Sequence, residues 1–177
     1  MKLLLIQALA VMVLLAGCKR DDQQNSGTIT LTNELYDSQT YYYALGLSFD
    51  EAKAVPTLPD QYRADVILMA GTLPGGGSDV AYLSSNTLDP PFALINEFSS
   101  ESEARTAFGS LKSIGSVSYI DVATPLKKNQ VWVVKTRDFR YAKLRIIDVT
   151  LDLTGEDPYA TCKFEWVYQP DGSKQFP

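Results

Sequence analysis

The carboxylates Asp65, Asp89, Glu97, Asp148 and Asp152 are the candidates this chain offers for acid–base chemistry, because its sequence removes the alternatives. It contains no histidine. Ser-His-Asp and Cys-His nucleophiles both need an imidazole base, so neither can be built, and the commonest zinc ligand is missing. Two carboxyl groups a few ångströms apart suffice for glycoside hydrolysis, but nothing in the spacing of these acids selects a pair. A carboxylate-based hydrolase therefore stays an alternative without a named catalytic residue. Cys162 lies in an alternating run and is expected to be buried and inert, since a reactive thiol needs exposure and a lowered pKa.

Other constellations point to binding. The stretch GTLPGGGS, Gly71 to Ser78, approaches the G-x-x-x-x-G-K-[ST] phosphate loop, but Gly77 stands where the lysine should be. Without that charge the phosphates lose their main partner. Gly75, Gly76 and Gly77 are read instead as a surface loop, suited to the lip of a binding site. Asp152, Glu156 and Asp157 in DLTGEDP lack the order of an EF-hand and read as an acidic hairpin loop; no metal is expected. Tyr41, Tyr42 and Tyr43 form an aromatic cluster. Neighbouring residues of a strand point to opposite faces, so at least one ring is turned away from a core, and the three are ligand-binding candidates.

The chain begins with Met1-Lys2, and Leu3 to Ala16 then carries no charge and one polar residue, Gln7. That run is shorter than the ~20 residues a bilayer span needs and has the proportions of a secretory signal peptide. It closes on Leu15-Ala16-Gly17-Cys18, which resembles the bacterial lipobox. The resemblance implies cleavage before Cys18 and lipidation of its thiol and new amine, which ties the mature chain to a membrane. Two or more acyl chains hold firmly where one holds only marginally. Lys19 follows, not the aspartate that retains lipoproteins in the inner membrane, so the outer membrane is expected. Lys19, Arg20, Asp21 and Asp22 resemble a surface-export signal of Bacteroidota lipoproteins. The protein is thus placed at the cell surface or on the periplasmic face, with residues 18–27 as a flexible tether.

Residues 28–177 are enough for one domain. Hydrophobic residues make up 45% and charged residues 21%, an ordinary globular balance, and the net charge is −5. No basic block follows Lys19-Arg20, so nucleic acid is excluded as a partner. Strands are expected at Thr28–Thr32, Tyr41–Phe49, Ala52–Val55, Asp65–Gly71, in DVAYLSS and in FALINEF. Three long ones follow in VWVVKT, YAKLRIIDVTLDL and ATCKFEWVYQ, the first two joined by the TRDFR turn. Ala142, Leu144 and Ile146 share a face opposite Tyr141, Lys143 and Arg145, which suggests one face on a core and one in solvent. One helix is signalled over about 100–114. Ser100 and Glu103 form a capping box, Ala104, Ala107, Phe108 and Leu111 an apolar stripe, Lys112 a favourable charge near the end, and Gly115 a stop. The fold class is α+β: mainly antiparallel sheet with one packed helix.

In order, PFALINEFSSESEARTAF, NQVWVVKTRDFRYAKLRIIDV and FEWVYQPDGSKQF resemble uncharacterised Bacteroidota outer-membrane lipoproteins over most of residues 41–177. The last fifty residues or so are similar, more distantly, to the HmuY-like haem-binding lipoproteins. That second resemblance implies haem. The residues depart from it, because there is no histidine and Met69 is the one methionine after the leader, so neither a bis-His nor a bis-Met site can form. Tyrosine can ligate haem iron, but no particular tyrosine is singled out, and no cofactor is expected. The function expected is a lipid-anchored, non-catalytic binding lipoprotein with a protein, glycan or nutrient partner. The alternative is a structural component of envelope assembly.

Overall fold

A computed structural model describes residues 24–34, 36–37, 41–42, 45–57, 63–72, 77–87, 89–154 and 158–177. Cys18 and the Lys19–Asp22 stretch lie outside the described residues, as do Tyr43, Gly75, Gly76, Glu156 and Asp157. The described chain is mostly antiparallel β-sheet with a single short helix, so mainly β describes it better than an even α+β mixture.

The larger sheet is formed by β1 (Ser26–Thr32), β8 (Phe92–Glu97), β9 (Gln130–Lys135), β10 (Tyr141–Asp152) and β11 (Tyr159–Gln169), in the order β1-β11-β10-β9-β8. The smaller one holds β4 (Leu45–Ser48), β5 (Lys53–Pro56), β6 (Val66–Gly71) and β7 (Val80–Ser84), in the order β5-β4-β6-β7. A two-residue pair, β2 (Tyr36–Asp37) with β3 (Tyr41–Tyr42), stands apart. The single strand expected over Tyr41–Phe49 is therefore divided between β3 and β4, and Phe49 lies in the turn that follows. Within β4, Gly46 allows a close approach that any side chain would block. A Cβ there would stand 2.4 Å from Ala64 Cβ and 2.6 Å from the Val66 carbonyl oxygen.

The core fills the space between the two sheets. Leu47, Val66, Leu68, Ala81 and Leu83 of the smaller sheet meet Trp132, Leu144, Ile146, Phe164, Trp166 and Tyr168 of the larger one. Alternation explains which side chains go inward, and a bulge explains where it slips. The register of β10 on β11 shifts between Ile146 and Asp148. Before the bulge Ala142, Leu144 and Ile146 face the core; after it Val149 and Leu151 do. One extra residue reverses the side-chain phase of everything beyond it.

The other face of the larger sheet is not left to water, contrary to the expectation for Lys143 and Arg145. Both are buried, at 2% and 1% exposure. The helix α1 (Glu101–Ser110) and the C-terminal segment cover them, over a second apolar cluster of Ala93, Ile114, Val133 and Phe176. Lys143 Nζ donates to the carbonyls of Phe108, at 2.8 Å, and Leu111, at 2.9 Å. Arg145 pairs with Glu165, its direct cross-strand neighbour.

The capping box of Ser100 and Glu103 forms as read, and Ala104 and Phe108 are the buried helix residues. The end differs. The helix stops at Ser110, not near 114, and Gly115 does not terminate it. Beyond Leu111 the chain turns extended and pairs with the C-terminal segment. The Ile114 amide donates to Lys174 O and the Phe176 amide to Lys112 O. Lys112 serves that pairing through Pro177 O, while the last helical carbonyls are met from beneath by Lys143.

Candidate binding site

One end of the larger sheet gathers the features of a site. The register that sets Ser26 opposite Val167, Val167 opposite Lys143 and Lys143 opposite Val133 puts four chain segments there. These are the start of β1, the β9–β10 turn, the turn after β11, and the Pro90-Pro91 entry to β8. Asn25, just before β1, still accepts from the Tyr168 amide at 2.7 Å.

The β9–β10 turn is closed by the Thr136 amide donating to Arg140 O, the Phe139 amide donating to Thr136 O, and the Arg140 amide donating to Thr136 Oγ1. Phe139 has φ 57° and is 66% exposed. This is the pattern of a three-residue hairpin loop whose left-handed position normally falls to glycine. A phenylalanine there accepts two unfavourable terms at once, the left-handed backbone and a ring in water. The turn after β11 lies against it, with Gly172 at φ 78° and a Cβ built on Gly172 only 3.6 Å from Phe139 O.

Beside Phe139 is an open cavity of about 390 Å³, lined also by Asn86, Thr87, Asp89, Lys135, Thr136 and Arg137. That volume is in the range of small-molecule sites. Lys135 at its wall is half-buried. Its Nζ lies 3.3 Å from Asp89 Oδ2 and 5.5 Å from the centre of the Tyr119 ring.

Behind the same turn a polar cluster ties the two sheets together. Arg140 Nη1 donates to Asp50 Oδ1 at 2.8 Å and lies 3.1 Å from Tyr168 Oη, while the Tyr168 hydroxyl donates to Asp50 Oδ1 at 2.9 Å. The Tyr168 ring stacks on Phe49, centres 5.4 Å apart. Burial, and next to it the Asp50 carboxylate, hold the Tyr168 hydroxyl well above its ordinary pKa, against the Arg140 guanidinium. Asp65 accepts from the Phe49 amide at 2.8 Å, and burial pushes its carboxyl up to about 6, aided by Asp50 and Asp138 and opposed by that amide and Arg140.

The other carboxylates are scattered. Asp89 lines the cavity with Lys135. Glu97 is at the far end of β8, held down in pKa chiefly by Lys127 and then Gln130. Asp148 is exposed beyond the β10 bulge. Asp152 opens the β10–β11 hairpin loop, accepting from the amide and hydroxyl of Thr154, which lower its pKa. The fold thus draws Asp65 towards Asp50 and Asp138, acids that the sequence did not single out. Cys162 is buried in the main core and its thiol is pushed up to about 12 by that burial.

Tyr41 and Tyr42 fall in β3. Gly77, with φ 125°, sits in the β6–β7 connection, where the Thr72 hydroxyl donates to Asp79 across the loop base. Of the candidates among the described residues, Asp89 lines the cavity beside Phe139, and Tyr41, Tyr42 and Gly77 do not. From the sequence TRDFR reads only as a turn, and the glycine-like position that its bulky ring occupies is visible only in the backbone, at φ 57°. Among the described residues no group of three or more Cys, Asp or Glu could hold a metal ion, and no helix is long and apolar enough to cross a membrane. No protein-family model matches the chain, and no curated protein matches it either.

Proposed function

We propose that this chain is a lipid-anchored, non-catalytic binding lipoprotein of the bacterial outer membrane, acting through the cavity end of its β-sandwich. The observation that carries the reading is the run from Leu3 to Cys18: an apolar segment too short to span, closing on Leu15-Ala16-Gly17-Cys18. The arrangement of the body supports it. Among the described residues the first in a sheet is Ser26, only a short polar stretch after Cys18, and Cys162 is a free, buried cysteine. A cavity of about 390 Å³ with one exposed ring and a mixed polar wall suits reversible capture of a small ligand or of one side chain of a partner.

A carboxylate hydrolase is the second reading, favoured by Asp65 with its pKa raised to about 6. Asp65, however, does not line the cavity, and its carboxylate is engaged by the Phe49 amide.

The test is the mature N-terminus. Expressed with its leader in a Gram-negative host, the protein should yield an acylated Cys18 peptide by mass spectrometry and fractionate with the outer membrane. Cys18→Ala should be released. An unmodified N-terminus in soluble material would sink the proposal. Protease shaving of intact cells carrying substitutions at Lys19–Asp22 decides the face: loss of shaving sensitivity is expected if these residues direct export.

A further inference from the structure

Among the described residues the chain enters the larger sheet at Asn25 and Ser26, at the cavity end. Asn25 and Ser26 lie beside Val167 and Tyr168, and therefore beside the turns 136–140 and 169–173 that form the tip around Phe139. We propose that this tip is a membrane-contacting surface whose occupant is the bilayer carrying the protein's own anchor, with Phe139 placed in the lipid interface. The proposal rests on lipidation at Cys18.

Chain length makes the argument. From Cys18 to Asn25 the backbone can reach roughly 26 Å at ~3.3 Å per residue when fully extended. Strand β11, 11 residues long, separates the tip from the opposite end by roughly 36 Å at a similar rise. The leash thus keeps the tip within about 26 Å of the headgroups, so an upright body stands tip-down and the Leu153 end approaches the bilayer only if the body tilts. Composition agrees with the position. In the two turns Arg137 and Arg140 balance Asp138 and Asp171, so these turns carry none of the negative excess that gives the full chain its net charge of −5 and would repel an anionic surface. Phe139 at 66% exposure, on a left-handed backbone, is a residue that neither packing nor turn geometry asks for. Such outliers persist where they are used, and an interface takes up an exposed ring. The cavity beside Phe139 then opens on the lipid side of the molecule.

The native tryptophans Trp132 and Trp166 are both buried, so an added exposed tryptophan is the reporter. Full-length lipidated protein carrying Phe139→Trp is reconstituted in vesicles of phosphatidylethanolamine and phosphatidylglycerol with brominated acyl chains, beside Leu153→Trp at the other end. The emission added by F139W should fall at least twofold relative to unbrominated vesicles, and that of L153W should not change. F139W unquenched, or quenched no more than L153W, in protein whose intact mass includes the lipid overturns the inference and leaves the lipoprotein reading standing. An intact mass without lipid removes both. A nitroxide on Phe139→Cys gives the same decision without a new ring: burial from aqueous relaxation agents at 139 but not at 153 supports the contact, and equal access overturns it.

Discussion

Arg140 and Asp50, 90 residues apart in sequence, meet where the two sheets of the sandwich converge, with one guanidinium nitrogen within 2.8 and 3.1 Å of the two carboxylate oxygens. Their side chains are 35% and 46% exposed, so the pair itself contributes only ~0.2–1 kcal/mol. The Tyr168 hydroxyl, which shares both partners, is less exposed and adds a second hydrogen-bonded group. Arg140→Met should therefore lower unfolding free energy by about 1–2 kcal/mol. In a cycle with Asp50→Asn the coupling should be about 0.5–1 kcal/mol and should shrink at 1 M salt, as read by urea denaturation. Zero coupling would mean that the Arg140–Asp50 pair does not help to hold the two sheets together, which would leave that to packing such as Phe49 against Tyr168 and Trp166.

Lys143 presents a different balance, because its ammonium group is buried and its partners are neutral. Burial is the main cause that lowers its pKa, with Lys112 next and Glu165 opposing. The ammonium still closes the helix end through Phe108 O and Leu111 O and lies 4.9 Å from the centre of the Phe108 ring. Lys143→Met keeps the stem and removes the donors, so two helix-terminal carbonyls lose their charged partner. The expected cost is about 2–3 kcal/mol. Hydrogen exchange should quicken in α1 more than in β11. Equal quickening in both would show that the helix and sheet unfold as one unit.

Lys143 and Arg145 show what the sequence could and could not say. The alternation in β10 and β11 was legible because a strand's period of two is local. The capping box was legible for the same reason. What covers the second face of a sheet is a matter of the whole chain. The charges at 143 and 145 look like a solvated face until α1 and the C-terminal segment are laid over them. The Ile146-Ile147 doublet is a local sign of the bulge, since two neighbouring apolar residues break the period. The helix ends at Ser110, with Lys143 donating to the carbonyls of Phe108 and Leu111, and not at Gly115; no local pattern could reveal that contact. The cavity was hidden because its walls come from Asn86, Thr87 and Asp89 on one side and Lys135, Thr136, Arg137 and Phe139 on the other, which β8–β9 pairing brings together.

Asp65 should make stability depend on pH in the direction opposite to a salt-bridged acid. Its folded-state pKa is raised from 3.8 to about 6. The folded protein therefore holds a proton that the unfolded chain releases, and stability falls as pH rises from about 4 to about 6. The full effect is felt above pH ~6 and is absent below pH ~4. Two pKa units correspond to at most roughly 3 kcal/mol. Asp65→Asn keeps an acceptor for the Phe49 amide and removes the titration. It should gain about 1–3 kcal/mol at pH ~7.5 and nothing at pH ~4, measured by chemical denaturation across that range. A gain independent of pH would show that Asp65 is not the titrating group.

Phe139 separates stability from use. Its φ of 57° imposes on any residue with a Cβ a backbone cost of roughly 1–2 kcal/mol. Glycine avoids that cost but loses about 0.5–1 kcal/mol to the greater freedom of its unfolded chain. The ring is mostly in solvent, so removing it forfeits little packing. Phe139→Gly should therefore stabilise the protein by about 0.5–1 kcal/mol, a rise of roughly 1–4 °C in Tm for a domain of this size. Phe139→Ala, which keeps the backbone cost, should stay near the parent value. A residue that weakens its own turn is retained for something outside the fold. A Phe139→Gly protein that proves less stable than the parent would reverse the argument, because the ring would then be packing against the cavity wall and not serving a surface.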